Sequence, residues 1–84
     1  MIRLRLLTRP HCSLCERMRQ EVDALLEDRT REWEIVDVDQ DPELARRYGE
    51  EIPILFVNGR LFAKVRLPRL ASRLRLRRAA GLTA

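Results

Sequence analysis

The sequence predicts an α/β fold in which three helices pack on a four-stranded mixed sheet. Apolar residues first alternate with polar ones and then recur every three or four positions, as expected where a strand gives way to a helix. The same order returns between residues 33 and 49. Asn58-Gly59, the strongest short hairpin signal in the chain, then separates two further strands. We expect all 84 residues (1–84) to form one domain with the order β-α-β-α-β-β-α.

The first strand is predicted at residues 2–7, where Ile2, Leu4 and Leu6 alternate with arginines. From Cys12 onward the apolar positions lie three and four residues apart, which places them on one face of a helix ending near residue 26 or 27. These positions are Cys15, Met18, Val22, Leu25 and Leu26.

A second strand is predicted from Trp33 to Val38, because this segment is rich in aromatic and β-branched residues. An acidic turn ends it. Asp41 then has the side chain of an N-cap, Pro42 suits the first helical position, and Gly49 ends a helix of about two turns. We expect Trp33 and Tyr48 to pack rather than to bind substrate.

The apolar run at residues 54–57 predicts a strand buried on both faces, and the Asn-Gly turn predicts an antiparallel partner from Arg60 to about Val65. A right-handed crossover makes the first two strands parallel. Pro68 fits the first turn of a last helix that ends near Gly81. Its predicted apolar face consists of Leu67, Leu70, Ala71 and Leu74.

Charge is segregated along the chain, whose net charge is +4. Eight acidic residues lie between positions 32 and 51, whereas eight basic residues and no acidic one lie from position 60 onward. The basic last helix forms either a solvated face or a site for an acidic partner. Because no aromatic side chain interleaves with its arginines, nucleic-acid binding is not favoured. These arginines are Arg69, Arg73, Arg75, Arg77 and Arg78.

The N-terminal region does not have the pattern of a membrane or export segment. No run of about 18 apolar residues occurs, and three arginines interrupt the first apolar stretch. We therefore expect a cytoplasmic monomer without membrane insertion. In a reducing compartment, two cysteines three positions apart are typical of redox chemistry or metal binding rather than of a structural disulfide.

Cys12 and Cys15 form a C-x-x-C motif where the first strand leads into the first helix. Unpaired amides and the helix dipole favour a thiolate at the helix start, so Cys12 is predicted to be the attacking sulfur. Cys15, one turn later on the apolar face, is predicted to resolve the mixed disulfide. Arg9 and His11 are predicted to favour the Cys12 thiolate. A zinc site usually needs four ligands, and only Cys12, Cys15 and His11 are candidates here, so no metal site is predicted.

Pro53 is a second notable feature, because it opens a strand that otherwise has the composition of a central one. A proline lacks the amide of the strand ladder, so it belongs at a strand's first residue or in a tight turn, where a cis bond also occurs.

The motifs together resemble a glutaredoxin-like protein of the thioredoxin superfamily over residues 2 to about 65. The resemblance implies a thioredoxin-like sheet of strand order 2-1-3-4, with the first and third helices on one face. It also implies that Ile52 and a cis-Pro53 bind an extended substrate, and that Arg9 faces the glycyl carboxylate of glutathione. The matching segments are Leu6-Leu7-Thr8-Arg9-Pro10-His11-Cys12-Ser13-Leu14-Cys15, Val36-Asp37-Val38-Asp39 and Ile52-Pro53-Ile54-Leu55-Phe56-Val57-Asn58-Gly59.

The chain departs from that family at two places. Ser13-Leu14 replaces the Pro-Tyr of typical glutaredoxins and the Gly-Pro of thioredoxins. Residues 64–68 contain neither the glycines nor the acidic residue that hold the γ-glutamyl end of glutathione in glutaredoxins. Glutathione is thus one candidate electron donor, beside a reductase.

The predicted function is that of a thiol-disulfide oxidoreductase, without a bound cofactor, which reduces or exchanges disulfides of proteins or of small thiols. Cys12 attacks and Cys15 resolves. The alternative is a non-enzymatic binding module, which would bind an acidic partner through the last helix or a metal through the two cysteines.

Overall fold

The computed structural model describes residues 1–68 and 72–82. The strands and helices follow the predicted order, and one short 3-10 turn, Val38–Gln40, occupies the position of the predicted acidic turn. The elements are β1 (Ile2–Thr8), α1 (Ser13–Leu25), β2 (Arg31–Asp37), α2 (Pro42–Tyr48), β3 (Ile54–Val57), β4 (Arg60–Lys64) and α3 (Ser72–Ala79).

The four strands form one mixed sheet in the order β2-β1-β3-β4. β1 pairs parallel with β2 and antiparallel with β3, and the β3–β4 hairpin is antiparallel. Asn58 and Gly59 form its turn with φ of 50° and 86°, the positive values for which this residue pair is suited. The predicted fold class and strand order are confirmed.

The larger apolar cluster lies on the sheet face that α1 and α3 cover. Alternate residues of β1 and β3 point into it, and α1 contributes the face predicted from its spacing. A smaller cluster on the opposite face consists of Leu7, Val38 and Ile54, covered by α2. Trp33 packs against the first cluster and Tyr48 against the second.

The apolar face predicted for the last helix is wrong at Leu74. That side chain is 44% exposed, whereas Leu76 and Ala80 are buried in the larger cluster. Within the described residues α3 spans Ser72–Ala79, and the predicted start near Pro68 falls next to residues 69–71, which lie outside the described part. Leu76 and Ala80 are four positions apart and share one side of the helical turn, whereas Leu74 points to the other side. Leu67 is buried but precedes the helix. The other predicted residues of this segment, Arg69, Leu70 and Ala71, lie outside the described residues.

Within residues 1–68 and 72–82, none of the helices has the length and apolar character needed to span a bilayer.

Candidate active site

The two cysteines lie where β1 leads into α1. Cys12 is the N-cap of α1: its backbone is extended, and its Sγ accepts a hydrogen bond of 3.1 Å from the amide of Cys15. The sulfur therefore occupies the place that a Ser or Asp side chain usually takes at a helix start. The two sulfurs are joined in a disulfide, with the Cα atoms 5.3 Å apart.

The two sulfurs differ in their access to solvent. Both cysteines line an open groove of about 520 Å³, but Cys15 is only 3% exposed, whereas Cys12 is half-buried. His11 also lines this groove, as does Ile35 of the edge strand β2, which is 44% exposed. An incoming disulfide can therefore approach Cys12 from the groove, while Cys15 is shielded behind it.

His11 has a backbone φ of 61°, in the left-handed region that non-glycine residues seldom adopt. This conformation lies in the turn that directs the chain from the end of β1 into α1. The His11 side chain is exposed. The structure thus places His11 beside Cys12 in the groove, as the sequence order suggests.

Arg9 lies in the same groove, but its guanidinium is engaged elsewhere. Its Nη2 atom lies 3.2 Å from an Asp39 carboxylate oxygen. The same atom would lie 2.9 Å from a Cβ built on Gly49, so the guanidinium packs directly over the C-terminus of α2. The buried Nε has no hydrogen-bond partner among the described residues. Arg9 therefore connects the loop before Cys12 to the opposite layer of the molecule.

Ile52 and Pro53 lie at the same end of the sheet but outside that groove. The β1–β3 register pairs Leu7 with Ile54, which puts Pro53 level with the end of β1. The Ile52–Pro53 peptide bond is cis, and the Pro53 carbonyl accepts a hydrogen bond of 2.7 Å from the amide of Val65. Within the described chain, no backbone hydrogen bond uses the amide or carbonyl of Ile52.

Sequence reasoning missed a second groove, of about 270 Å³, between α1 and the segment after β4. Leu14 and Val65 both line it. Val65 has a φ of 68°, which a β-branched residue rarely adopts, so residue preference gave no signal for this turn.

The described residues contain no group of three or more His, Cys, Asp or Glu side chains arranged to hold a metal ion.

Comparison with known proteins agrees with this geometry. The model of the glutaredoxin-like domain family (DUF836) matches residues 3–75. A structural genomics target protein from X. campestris is 32% identical, the match covering 86% of this chain and 89% of that one, with a TM-score of 0.60.

Two other solved structures share the fold at lower identity. A malarial protein is 17% identical over 95% of this chain and 97% of that one, with a TM-score of 0.60. A mutant thioredoxin from Halobacterium salinarum NRC-1 is 23% identical over 99% of this chain and 78% of that one, with a TM-score of 0.56. No curated protein matches the chain.

Proposed function

Because the chain belongs to the glutaredoxin-like domain family, we propose that it is a thiol-disulfide oxidoreductase that reduces or exchanges disulfides of proteins or of small thiols. The observation that carries this proposal is the unequal placement of the two sulfurs. Cys12 caps α1 and faces an open groove, whereas Cys15 is buried one turn later. An attacking thiolate needs access and ionisation, and a resolving thiol needs proximity and shielding.

The reaction begins with the reduced dithiol. The Cys12 thiolate attacks one sulfur of the substrate disulfide, that S–S bond breaks, and the leaving thiolate takes up a proton. The Cys15 thiol then loses its proton and attacks the Cys12 sulfur. The bond between Cys12 and the substrate sulfur breaks, and the released thiolate takes up a proton. The substrate thus leaves with two thiols, and the two electrons it gained come from the Cys12 and Cys15 thiols, which are oxidised to a disulfide.

The start of α1 supplies the electrostatics for the first step. The Cys15 amide already points at the Cys12 sulfur, and a charged acceptor strengthens such a hydrogen bond. The helix dipole favours negative charge at the same position. Arg19 lines the groove and adds positive charge, which Glu16 opposes, whereas the charge of Arg9 is largely balanced by Asp39. We therefore expect Cys12 to ionise more readily than a free cysteine.

We propose that the backbone of Ile52, beside Pro53, pairs with an extended substrate segment. Its amide and carbonyl are not used by described backbone partners, and they lie at the end of the sheet that carries the cysteines. Return to the dithiol requires a second thiol donor, either glutathione or a reductase in the cytoplasm.

The test compares Cys12→Ser and Cys15→Ser with the wild type in dithiothreitol-driven reduction of insulin and of bis(2-hydroxyethyl) disulfide. Cys12→Ser should lose all activity. Incubated with either disulfide in the absence of dithiothreitol, Cys15→Ser should accumulate a mixed disulfide on Cys12, seen as a mass increase that added dithiothreitol reverses. Ser13→Ala, which keeps both sulfurs, is the matched control.

Full activity of Cys12→Ser would show that this mechanism is wrong. Stoichiometric zinc in the protein purified under reducing conditions, with neither disulfide reduced, would instead favour a binding module that holds a metal through the two sulfurs.

A further inference from the structure

The second groove runs along α1, on the side of the helix next to the side that lines the Cys12 groove. Met18 and Leu67 are buried beneath it, and Leu14 stands at its wall with 48% of its surface exposed. Leu14 lies between the two cysteines in the chain, so the groove borders the first turn of α1, the turn that carries the cysteine pair. Its volume of about 270 Å³ falls just below the range of about 300–1,000 Å³ of small-molecule sites, so it suits one side chain rather than a cofactor.

Val65 forms part of the groove lining at the point where the chain leaves β4. The carbonyl of Lys64 accepts a hydrogen bond of 2.7 Å from the amide of Arg66, which closes a three-residue turn around Val65. Such a turn with a positive central φ is rare and strained, and the strain is worst for a β-branched residue. Stability alone therefore favours glycine at position 65. The chain instead has valine there, and its side chain lines the groove.

Tertiary contacts hold this turn in place. The amide of Val65 donates to the carbonyl of Pro53, and the Lys64 ammonium pairs with the Glu51 carboxylate. The groove wall is thereby fixed to the segment that carries Ile52 and Pro53. A substrate segment lying along Ile52 would pass the groove.

The rim of the groove is positive. Arg17 is bonded to Glu21 at 3.0 Å, whereas Arg66 is exposed and makes no ion pair with a described residue. The neighbouring helix α3 packs on the same sheet face as α1, outside the groove itself, and carries the exposed Arg73, Arg75 and Arg78. No acidic residue follows Glu51 in the chain. This side of the molecule is thus complementary to acidic residues.

We propose, on the basis of the oxidoreductase function above, that this groove selects the substrate. It takes an apolar side chain next to the disulfide cysteine of an extended protein segment, and Arg66 binds an acidic residue that follows. Val65 and Leu14 set the preference for the apolar side chain. The partner is therefore a protein disulfide in an apolar and acidic context rather than a small thiol alone.

The experiment uses two synthetic peptide disulfides that carry either Cys-Leu-Glu or Cys-Ser-Lys, with bis(2-hydroxyethyl) disulfide as the reference. The measured quantity is kcat/KM for each peptide divided by that for the reference. We expect roughly a tenfold preference for the Leu-Glu peptide, as is usual for one apolar side chain in a pocket. Val65→Gly and Leu14→Ala should reduce the preference to below about twofold, which is less than one such side chain usually contributes. The melting temperature of Val65→Gly should not fall.

The charged part of the proposal is tested by Arg66→Glu, with Arg60→Glu as its matched control at the far end of β4. Only Arg66→Glu should lower the ratio for the Leu-Glu peptide. Equal ratios for the two peptides in the wild type, or an unchanged preference in Val65→Gly, would overturn the proposal.

Binding of the same peptides with Ser in place of Cys, measured by fluorescence anisotropy, separates the two proposals. Reduction of the reference without preferential peptide binding overturns the groove assignment alone. Preferential peptide binding without any disulfide reduction supports the groove and overturns the oxidoreductase function.

Discussion

The two ends of the sheet differ in how well the local sequence suits the backbone. At the hairpin end, the positive φ angles fall on Asn58 and Gly59, residues that adopt them readily. At the cysteine end they fall on His11 and Val65. The hairpin end is therefore specified locally, whereas the cysteine end is held by tertiary contacts. Such a mismatch between residue and backbone is found most often at functional sites.

Substitutions at two glycines, one at each end of the sheet, test this difference through the free energy of unfolding. Gly49, at the cysteine end, should give the larger effect. Its φ of −56° suits any residue, but a Cβ there would lie 2.5 Å from the Ala45 carbonyl oxygen and 2.9 Å from the Arg9 guanidinium. Gly49→Ala should therefore destabilise the fold by about 1–3 kcal/mol, as overpacking usually does. Urea unfolding followed by Trp33 fluorescence measures it, and an effect below about 0.5 kcal/mol, the usual size at a surface site, would contradict the packing argument.

Gly59 is required for the opposite reason. Its φ is 86°, and a Cβ there would meet no atom within 4 Å. Gly59→Ala should cost about 1–2 kcal/mol through the left-handed backbone alone. Gly59→Asn should cost less, because asparagine tolerates that conformation, whereas Gly49→Asn should cost at least as much as Gly49→Ala. The same unfolding experiment gives all four values, and equal costs for Ala and Asn at position 59 would contradict this reasoning.

Asp23 should give the smallest effect, and one that depends on pH. Partial burial raises the pKa of its carboxyl, but hydrogen bonds from Arg31 at 2.7 Å and Trp33 at 2.8 Å outweigh burial and hold that pKa below its ordinary value. The resulting stability is present above the unfolded-state pKa of about 3.9 and is lost as the pH falls through the lower folded-state value.

Asp23→Asn should therefore lower stability by no more than about 1 kcal/mol at neutral pH, since the pair is partly exposed. It should also flatten the decline of stability below pH 4. Unfolding of the two proteins between pH 2 and 7 tests this, and parallel pH profiles would contradict it. Because Asp23 lies toward the hairpin end, disulfide reduction at pH 7 should be unaffected.

Much of the fold could be predicted because local pattern and backbone agree over most of the chain. The alternation in β1, the spacing in α1 and the Asn-Gly turn each specify one element, and the topology follows from them. The buried face of α3 is harder to predict, since leucines are spread among arginines there and several helical phases bury some of them. Leu76 was therefore missed and Leu74 chosen instead.

The candidate site was predictable only where it depends on neighbours in sequence. The position of Cys12 at the start of α1 follows from strand and helix periods alone. The contact of Arg9 with Asp39 and Gly49, and the turn at Val65, depend on residues about 10 to 40 positions away. No residue preference encodes them, and at Val65 the preference points to an extended strand.

The unequal size of the two apolar clusters has a consequence for hydrogen exchange. α2 buries none of its own residues fully and covers only the smaller cluster, so its amides should exchange by local opening well before those of α1. Since the Arg9 guanidinium rests on the last turn of α2, each such opening would also release the loop that precedes Cys12. Local opening of α2, on one face of the sheet, would thus change the surroundings of the Cys12 sulfur at the start of α1, which packs on the other face.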